Sequence, residues 1–497
     1  MFKHSQLESV KAWLADPAQA ALPLHARIQR AIRQLILDGA LGVGRPLPAS
    51  RALAASLGVS RDTVEAAYGQ LHAEGFIERR VGSGSFVSEM TQRPSGRGQA
   101  RRLGPPRTQA EAANLSQRGA AMFKGGGVRD FSILRPFVPG VPETRGFPVQ
   151  TWERLERQVL KEYGSQALRH GDPQGMAPLR RAIADYVNLE RGAHASADRV
   201  LVLTSSQQAM ALCANVLLDA GERIFIEDPG YHGARRAFEA AGLECVPIPL
   251  DAQGLLVERL RADPRPAKAV CLTPSHQFPT GATLALDRRL ALIEWAARQP
   301  AWLIEDDYDS EFHYAGRPTA CVQGLDPHER TIYIGTFTKS LFPGLRIGYM
   351  VLPAALVEPM TVARTLLDGH SASIAQLTLA RFIDGGHFGA HVRAMRGVYA
   401  ERLDTLVRLV RTHLAGVVEP RVPIGGLQLP CLLTCDIAEQ DAIAAARRAG
   451  IELMGLTGLH AAEPRQAGFL LGFAAYAPDE LEAAVKTLAG VFRSLRR

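Results

Sequence analysis

The sequence predicts an α/β protein of two unequal parts: a small basic helix-turn-helix with a wing, then a large domain with a mostly parallel central sheet. A chain of 497 residues exceeds what one hydrophobic core usually holds. Its excess positive charge lies at the front, and short apolar runs alternate with amphipathic helical patterns from about residue 128. We expect a head over 22–88, a flexible linker over 89–127 and a large domain over 128–497.

Charge differs between the two parts. Residues 1–110 carry 15 Lys and Arg against 8 Asp and Glu, and the rest of the chain carries 42 of each sign. The whole excess of +7 therefore lies at the front of the chain, within residues 1–110, which include the head. A basic head on a neutral body indicates a polyanionic partner for the head alone, although a solvated basic tail would have the same composition.

Other classes of protein are disfavoured by composition. The sequence contains no apolar run of about 18 residues, and its N-terminus lacks the apolar core of a signal peptide. Its six cysteines form no CxxC pair, which argues against a disulfide framework and a zinc site. We expect a cytoplasmic protein that does not enter a membrane.

The head has the pattern of a helix-turn-helix. Residues 24–37 keep apolar side chains at helical spacing, and a second helix begins near Pro48 and ends at Gly58. Ser60 is a good N-cap for a third helix over 61–74. A glycine-containing turn between two short helices is typical of this motif.

A hairpin follows the third helix. Residues 75–87 alternate as two short strands do, and Gly82 and Gly84 supply the turn between them. In a winged helix-turn-helix, the start of the second motif helix meets base edges, while nearby hydroxyls and arginines hold phosphates. The candidate DNA-binding residues are Arg51, Ser60, Arg61, Thr63, Arg79 and Arg80. The alternative is a capped helix whose arginines face solvent.

The large domain shows a βαβ rhythm. Apolar runs at 200–203, 223–226 and 301–304 alternate with helical patterns such as 179–190. Such runs predict a buried, mostly parallel sheet. The stretch before it is rich in Pro, Gly, Arg and Gln and nearly lacks large apolar residues, so it reads as a linker.

Lys339 lies in the segment GTFTKSLFPGLRIGY, where a strand leads into a turn rich in hydroxyl groups. A lysine of lowered pKa can form a Schiff base with an aldehyde cofactor. Thr336, Thr338 and Arg346 can hold the phosphate of that cofactor. Thr338 stands where a Walker motif requires glycine, which excludes that motif. A lone lysine is otherwise a surface charge.

Three more segments supply side chains for a cofactor pocket. A strand that ends in EDDYDSEF puts acids at the carboxyl edge of the sheet, where ligands bind. An aspartate there can pair with a protonated pyridine nitrogen and a tyrosine can bond a phenolic oxygen, and Asp306 and Tyr308 are the candidates. Ser205 and Ser206 open a helix after a strand, which suits a phosphate. Tyr231, in EDPGY, can stack on the pyridine ring. Each segment alone is ordinary strand-to-helix sequence, and the acidic one could be a solvated loop or a metal site.

Two resemblances join these motifs. The string from PLPASR to GSGSFV, within residues 22–88, closely resembles the winged helix-turn-helix of the GntR family. The order TSSQQA, EDPGY, TPSHQFPTG, EDDYDSEF, GTFTKSLFPGLRIGY resembles the aminotransferase-like domain of the MocR group of GntR regulators. The resemblance implies fold type I binding of pyridoxal 5′-phosphate, a head-to-tail homodimer on operator DNA, and sensing of the cofactor or of an amine or amino acid.

The resemblance also implies roles for matching positions. Lys339 matches the Schiff-base lysine, which is the catalytic position of the fold, and Asp306 and Tyr308 match the partners of the pyridine nitrogen and the phenolic oxygen. Tyr231 matches the stacking residue. The residues that match the phosphate-binding positions of the family are Ser205, Ser206, Thr336, Thr338 and Arg346.

The sequence departs from the family in two places. His170 stands where the family often has a tyrosine that reaches the partner subunit's cofactor. Residues 468–473 contain no arginine for a substrate carboxylate, and Arg465 is only a loose candidate. His387 and His391 lie four residues apart without an acidic or thiol third ligand, so we interpret them as structural rather than as a metal site.

Three functions fit these observations. We expect a ligand-responsive transcription regulator. The alternative is a working aminotransferase that carries a DNA-binding head. A third possibility, a catalytically inactive domain kept only for dimerisation, is disfavoured by the complete set of lysine, aspartate and tyrosine.

Overall fold

A computed structural model describes residues 4–15, 21–80, 82–91, 114–125, 134–315, 319–463 and 465–496. Contacts divide the chain into two compact units, residues 1–108 and 109–497. Most of the predicted linker lies outside the described residues; of 89–127, the structure describes 89–91 and 114–125. The helix Gln117–Gly125 lies in this stretch and belongs to the second unit, where it packs against the helix His232–Ala240.

The first unit is a three-helix head with an added N-terminal helix and a hairpin. Its elements are α1 (His4–Ala15), α2 (Leu24–Leu37), α3 (Ser50–Leu57), α4 (Arg61–Ala73), β1 (Ile77–Arg80) and β2 (Gly84–Val87). The strands pair antiparallel. Gly82 and Gly84 have positive φ angles of 76° and 100°, which glycine adopts without strain, as predicted for the turn.

The core of the head comes from one apolar face of each helix. Val64, Ala67, Tyr68 and Leu71 of α4 are buried as the helical spacing predicts. Leu24, expected inside, is 39% exposed because it is the first residue of α2 and lies at the helix end. The sequence reasoning did not find α1, whose Val10 is fully buried in this core.

The second unit is an α/β domain with two sheets. Its helices are α5 (Gln117–Gly125), α6 (Val149–Tyr163), α7 (Ala177–Arg191), α8 (Ser206–Leu217), α9 (His232–Ala240), α10 (Val257–Ala262), α11 (Leu286–Arg298), α12 (Val322–Leu325), α13 (Phe337–Ser340), α14 (Val357–Asp368), α15 (Ser373–Asp384), α16 (His387–His413), α17 (Glu439–Arg448) and α18 (Pro478–Leu495). Its strands are β3 (Val200–Leu203), β4 (Arg223–Asp228), β5 (Glu244–Asp251), β6 (Gly254–Leu255), β7 (Ala269–Leu272), β8 (Trp302–Asp307), β9 (Thr331–Thr336), β10 (Gly348–Val351), β11 (Val418–Pro420), β12 (Gln428–Leu433), β13 (Met454–Gly455) and β14 (Gly468–Gly472).

The large sheet has the order β3-β10-β9-β8-β7-β4-β5-β6. Strands β5, β4, β7, β8 and β9 pair parallel, and β10 runs antiparallel between β9 and β3. The edge strand β3 and the central strand β7 are both buried along their whole length, which explains their continuous apolar runs. This mixed, mostly parallel sheet confirms the predicted fold class.

The small sheet, β11-β12-β14-β13, is antiparallel. Because strand side chains alternate, Leu429 and Leu471 face the core formed with α16 and α18. Gln428, next to Leu429, points to the opposite face. No helix among the described residues has the length and hydrophobicity needed to cross a membrane.

Candidate functional site

One edge of the large sheet collects the predicted cofactor residues. Ser205 follows β3, Tyr231 follows β4, Asp306 lies near the end of β8, and Thr336 ends β9. Parallel strands end at the same edge, where ligands of α/β sheets bind. Because β10 is antiparallel, it begins at this edge, and Arg346 lies two residues before its start. The fold therefore brings together segments separated by more than 130 residues.

Gly348 allows the two hydroxyl-rich turns, those that follow β3 and β9, to lie close together. It is paired with Leu203 on one side and with Thr336 on the other. A Cβ at Gly348 would lie 3.2 Å from the Ser205 carbonyl carbon and 3.2 Å from the Gly335 oxygen, so only glycine permits this spacing without displacement. The starts of α8 and α13 thus lie side by side at the edge.

Both turns present capping hydroxyls and backbone N–H groups. The Ser205 Oγ accepts from the Gln208 N–H at 3.3 Å, and the Thr336 Oγ1 accepts from the Thr338 N–H at 3.2 Å. Ser206 is the first residue of α8. The Arg346 side chain is exposed, and its φ of 52° turns the chain sharply before β10. Helix starts, hydroxyls and an arginine are groups that bind phosphate.

Lys339 lies in α13, and its Nζ donates to the Gly140 carbonyl oxygen at 2.6 Å. Gly140 has a φ of 69°, and a Cβ there would lie 3.0 Å from the lysine Nζ. The same Cβ would lie 3.7 Å from the Gln428 Oε1. Gly140 therefore lets the backbone approach the lysine closely, and Gln428 lies beside both.

Asp306 is 4% exposed, and its Oδ1 is buried with no hydrogen-bond partner among the described residues. Burial, followed by the charges of Asp307 and Asp309, raises the pKa of Asp306 to about 7, although Lys339 opposes this. An unpartnered buried carboxylate oxygen is costly unless a donor or cation reaches it. A protonated ring nitrogen would satisfy this requirement.

The neighbouring acid Asp307 has the opposite environment. Its Oδ2 accepts from Arg191 at 2.7 Å and from the Tyr333 hydroxyl at 2.6 Å. Burial raises the pKa of Asp307, but the charge of Arg191 and these hydrogen bonds lower it below its ordinary value. Arg191 thus compensates the charge of Asp307, although the Asp307 Oδ1, like the Asp306 Oδ1, is buried without a hydrogen-bond partner among the described residues. Asp306, whose pKa is raised, is the candidate acid for a ligand.

An aromatic row crosses the site. The ring of Tyr231 meets Phe278 edge-on at 5.7 Å between centroids, and Phe278 meets Tyr308 at 6.2 Å. The Gln428 Nε2 donates to the Tyr308 hydroxyl at 3.4 Å. Tyr231 and Asp306 line one cavity, together with Glu227. The stacking candidate and the acid therefore face the same space.

Sequence reasoning missed several residues of this site. Glu227 is buried, accepts from the Thr273 N–H at 3.0 Å and from its hydroxyl at 2.7 Å, and has its pKa raised to about 7 by burial. Its position in EDPGY was the available signal. Gly140 and Gln428 lie far away in sequence and carry no local signal.

A second missed feature is a strap, residues 457–462, between β13 and β14. Asp228 accepts from the Ala461 and Ala462 N–H groups at 2.7 and 3.1 Å. Arg235 donates to the His460 carbonyl oxygen at 3.2 Å. The Gly230 N–H donates to the Leu459 carbonyl oxygen at 3.2 Å, and Leu459 lines the cavity. The strap thus fastens the small-sheet region to the turn that carries Tyr231.

The positions that depart from the family lie elsewhere. The His170 Nδ1 lies 3.3 Å from the His370 Nε2. Arg465 is half-exposed and ion-paired with Glu463 at 3.1 Å. His391 is buried against Phe147, with its pKa lowered by burial. Within the described ranges, no cluster of three or more His, Cys, Asp or Glu side chains is arranged for a metal ion.

In the head, the start of α4 carries the predicted contacts. The Ser60 Oγ accepts from the Thr63 N–H at 3.2 Å, and the two hydroxyls lie 2.7 Å apart. Arg61 and Arg51, at the starts of α4 and α3, are exposed. The structure therefore places both arginines and the capping hydroxyl at the surface.

The two wing arginines contact protein groups. The Arg79 Nη2 lies 3.4 Å from the Glu65 Oε2 of α4. The Arg80 guanidinium lies over the Phe86 ring at 4.7 Å and is 54% exposed. Arg79 thus links the wing to α4, and Arg80 keeps an accessible charge.

Comparison with known proteins matches both parts of the chain. The model of the aminotransferase class I and II family matches residues 141–424, which is more than half of the chain. The model of the gntR family of bacterial regulatory proteins matches residues 24–87. The chain has thus both modules that the sequence motifs predict.

Full-length relatives have the same organisation. The chain is 34% identical over 478 residues to the probable rhizopine catabolism regulatory protein MocR of Rhizobium meliloti, covering 96% of this chain and 95% of the relative. It is 31% identical to the pyridoxine biosynthesis transcriptional regulator PdxR of Corynebacterium glutamicum, covering 90% and 92%.

The second unit is similar to solved aminotransferases. A multiple substrate aminotransferase from Thermococcus profundus superposes with a TM-score of 0.69 at 26% identity, over 78% of this chain and 98% of that protein. With an unpartnered acid, an aromatic row, a lysine and hydroxyl-bearing helix starts at one edge, the residues present fit pyridoxal 5′-phosphate, which confirms the predicted cofactor. The chain belongs to the MocR group of GntR-family transcription regulators, in which a GntR-type DNA-binding domain is joined to an aminotransferase-like domain.

Proposed function

We propose that this regulator binds operator DNA through its head and senses pyridoxal 5′-phosphate, or an amine or amino acid that meets it, in its large domain. The observation that carries the proposal is the buried, unpartnered Asp306 Oδ1 at the sheet edge that also presents Lys339. The Asp306 carboxylate can pair with a protonated pyridine nitrogen, and the Lys339 amine can react with an aldehyde. The two together suit a pyridine aldehyde. The gntR-type head supports a regulatory use.

Each residue of the site has a distinct task in this proposal. Lys339 holds the cofactor covalently, Asp306 pairs with its ring nitrogen, Tyr308 donates to its phenolic oxygen, and Tyr231 stacks on the ring. The phosphate is held by Ser205, Ser206, Thr336, Thr338 and Arg346. When bound, the cofactor supplies an electron sink and a reactive carbonyl carbon for amines.

In the head, Arg61 and Thr63 of α4 face base edges, while Ser60 at the start of α4 and Arg51 at the start of α3 hold phosphates. The exposed charge of Arg80 reaches the DNA backbone, and Arg79 positions the wing through Glu65. Such contacts give an affinity that falls as salt rises, because phosphate binding releases counterions.

A head-to-tail homodimer in the cytoplasm completes the proposal. Two heads on one dimer bind two half-sites whose spacing is set by the distance between the heads. A ligand changes operator affinity only if it binds the two arrangements of the heads unequally. The relatives named as regulators of rhizopine catabolism and pyridoxine biosynthesis support a small nitrogen compound or the cofactor itself as the signal.

The test of cofactor binding is visible absorbance of the purified full-length protein after addition of pyridoxal 5′-phosphate. Lys339→Ala should lose the absorbance of covalently held cofactor while keeping its circular dichroism spectrum. The matched control is Lys268→Ala, because Lys268 is exposed just before β7, at the opposite edge of the sheet. Wild-type protein without this absorbance would overturn the proposal.

A second candidate function is aminotransferase activity. Lys339, Asp306 and Tyr308 together permit amino-group chemistry, and the superposed neighbour is named as an aminotransferase. The absence of an arginine from residues 468–473 argues against efficient turnover. Steady transfer of amino groups to keto acids at about 1 to 10³ per second would favour this function. Cofactor binding with turnover far below this range favours sensing.

A further inference from the structure

A buried histidine-aspartate pair lies next to the cofactor site and takes no part in the roles assigned above. The His276 Nδ1 lies 3.1 Å from the Asp309 Oδ1. Asp309 is fully buried and His276 is 8% exposed. The remaining polar atoms of both, the His276 Nε2 and the Asp309 Oδ2, are buried without a hydrogen-bond partner among the described residues.

The pair is packed against the turn that leads to Gln428. Gly426 has a φ of 86°, and a Cβ there would lie 2.2 Å from the His276 Cε1 and 3.0 Å from the Asp309 Oδ2. The Gly426 N–H donates to the Phe312 carbonyl oxygen at 2.8 Å. Two residues later, Gln428 donates to the Tyr308 hydroxyl. The pair therefore supports both Tyr308, its sequence neighbour, and the residue that orients it.

The charge of Asp309 acts on the same groups. Burial raises the pKa of Asp309 above its ordinary value, and the charge and hydrogen bond of His276 and the charge of Lys339 oppose this rise. Burial and, after it, the charge of Asp309 raise the pKa of the Tyr308 hydroxyl. The titratable groups whose electrostatics involve Asp309 are His276, Asp306, Asp307, Tyr308, Glu311, Tyr314 and Lys339.

We propose that His276 and Asp309 form a positioning pair for the cofactor site, in which Asp309 supplies a negative charge beside Tyr308 and Lys339 and His276 holds that charge by donating from Nδ1. This inference rests on the proposed binding of pyridoxal 5′-phosphate through Lys339. A nearby negative charge favours a proton on the lysine nitrogen. It therefore sets the pH at which the bound cofactor changes its absorbance.

The experiment is a pH titration of visible absorbance, using full-length protein loaded with pyridoxal 5′-phosphate. Asp309→Asn should lower the midpoint by about one pH unit, which is a tenfold loss of proton affinity. His276→Gln, whose amide reaches the Nε2 position, should shift the midpoint in the same direction. His276→Asn keeps a donor near Nδ1 and should stay close to wild type.

The matched control is Asp263→Asn. Asp263 is ion-paired with Arg223 at 2.7 Å at the opposite end of β4, so its loss should leave the midpoint unchanged. If Asp309→Asn does not fold, as judged by circular dichroism, the comparison of His276→Gln with His276→Asn tests the positioning pair instead.

The outcomes separate this inference from the function on which it rests. A wild-type midpoint in folded, cofactor-loaded Asp309→Asn, or equal midpoints in His276→Gln and His276→Asn, would overturn the positioning pair and leave cofactor binding standing. Wild-type protein that shows no absorbance from covalently held cofactor would overturn the proposed function and the pair together.

Discussion

Adjacent acids at the end of β8 show how individual residues divide their tasks. Asp307 is ion-paired with Arg191 and accepts from the Tyr333 hydroxyl, which hold its pKa low, whereas burial raises the pKa of Asp306 to about 7. Each acid also has a buried Oδ1 without a hydrogen-bond partner among the described residues. The sequence alone placed Asp306 and Tyr308 at the sheet edge because the carboxyl end of a buried strand is recognisable. It could not find Gly140 or Gln428, since their approach to Lys339 and Tyr308 depends on contacts over more than a hundred residues.

Arg61 is the residue on which the DNA prediction rests most directly. Its side chain is exposed at the start of α4, so Arg61→Ala removes a charge without disturbing the core. We expect operator affinity to fall by about 1–3 kcal/mol if the arginine reads a base, with cofactor absorbance unchanged. Fluorescence anisotropy at several salt concentrations measures both the affinity and its salt slope.

Arg157→Ala is the control for this change. Arg157 is an exposed arginine of α6 in the large domain and is 72% exposed. Equal operator affinity in Arg61→Ala and Arg157→Ala would refute the assignment of α4 as the recognition helix.

Among the helices and strands, those with a regular pattern of apolar residues could be predicted from the sequence. The strand at 200–203 was predicted with its observed bounds, and β4 and β8 each run further than expected because Asp228 and Asp307 continue the strand geometry. The helix α1 and the helix within the linker stretch were missed. Both are short segments whose packing partners, α2 and α9, supply order that composition does not reveal.

The strap, residues 457–462, could not be predicted from a local sequence pattern, because contacts with residues far away in sequence hold it. Asp228 holds two successive N–H groups of the strap, and hydrogen bonds to a charged group contribute about 1.5–3 kcal/mol each. Asp228→Ala should therefore raise amide hydrogen exchange at Ala461 and Ala462 and speed dissociation of the cofactor. Hydrogen-exchange mass spectrometry and dilution of the loaded protein measure these effects.

Asp185→Ala, at an exposed site on α7, is the control for the strap. Unchanged exchange at 457–462 in Asp228→Ala would mean that the strap is held by other contacts.

At the scale of the whole molecule, buried acids make stability depend on pH. Burial raises the pKa of several carboxyl groups to about 7 or 8; these groups are Glu227, Glu305, Asp306 and Glu311. Their unfolded values are near 4, so between pH 6.5 and 8.5 only the folded state loses these protons. Stability therefore falls as pH rises through this range.

The cofactor-free protein should thus have a lower Tm at pH 8.5 than at pH 6.5, as measured by differential scanning calorimetry. Added pyridoxal 5′-phosphate should raise the Tm more at the higher pH, because the ring nitrogen then pairs with ionised Asp306. In Asp306→Asn, this pH dependence should be reduced. A Tm that rises from pH 6.5 to 8.5 in cofactor-free protein would contradict the assignment.

The molecule as a whole joins a basic head to a neutral domain with a cofactor pocket. We propose that cofactor binding in this pocket controls DNA binding by the head. The most direct test measures the affinity of the full-length protein for a duplex selected from a random library, with and without pyridoxal 5′-phosphate. Wild type should change its Kd at least fivefold, the lower end of typical allosteric coupling, and Lys339→Ala should not respond. An equal Kd in both conditions, with cofactor absorbance present, would contradict the claim that cofactor occupancy is sensed.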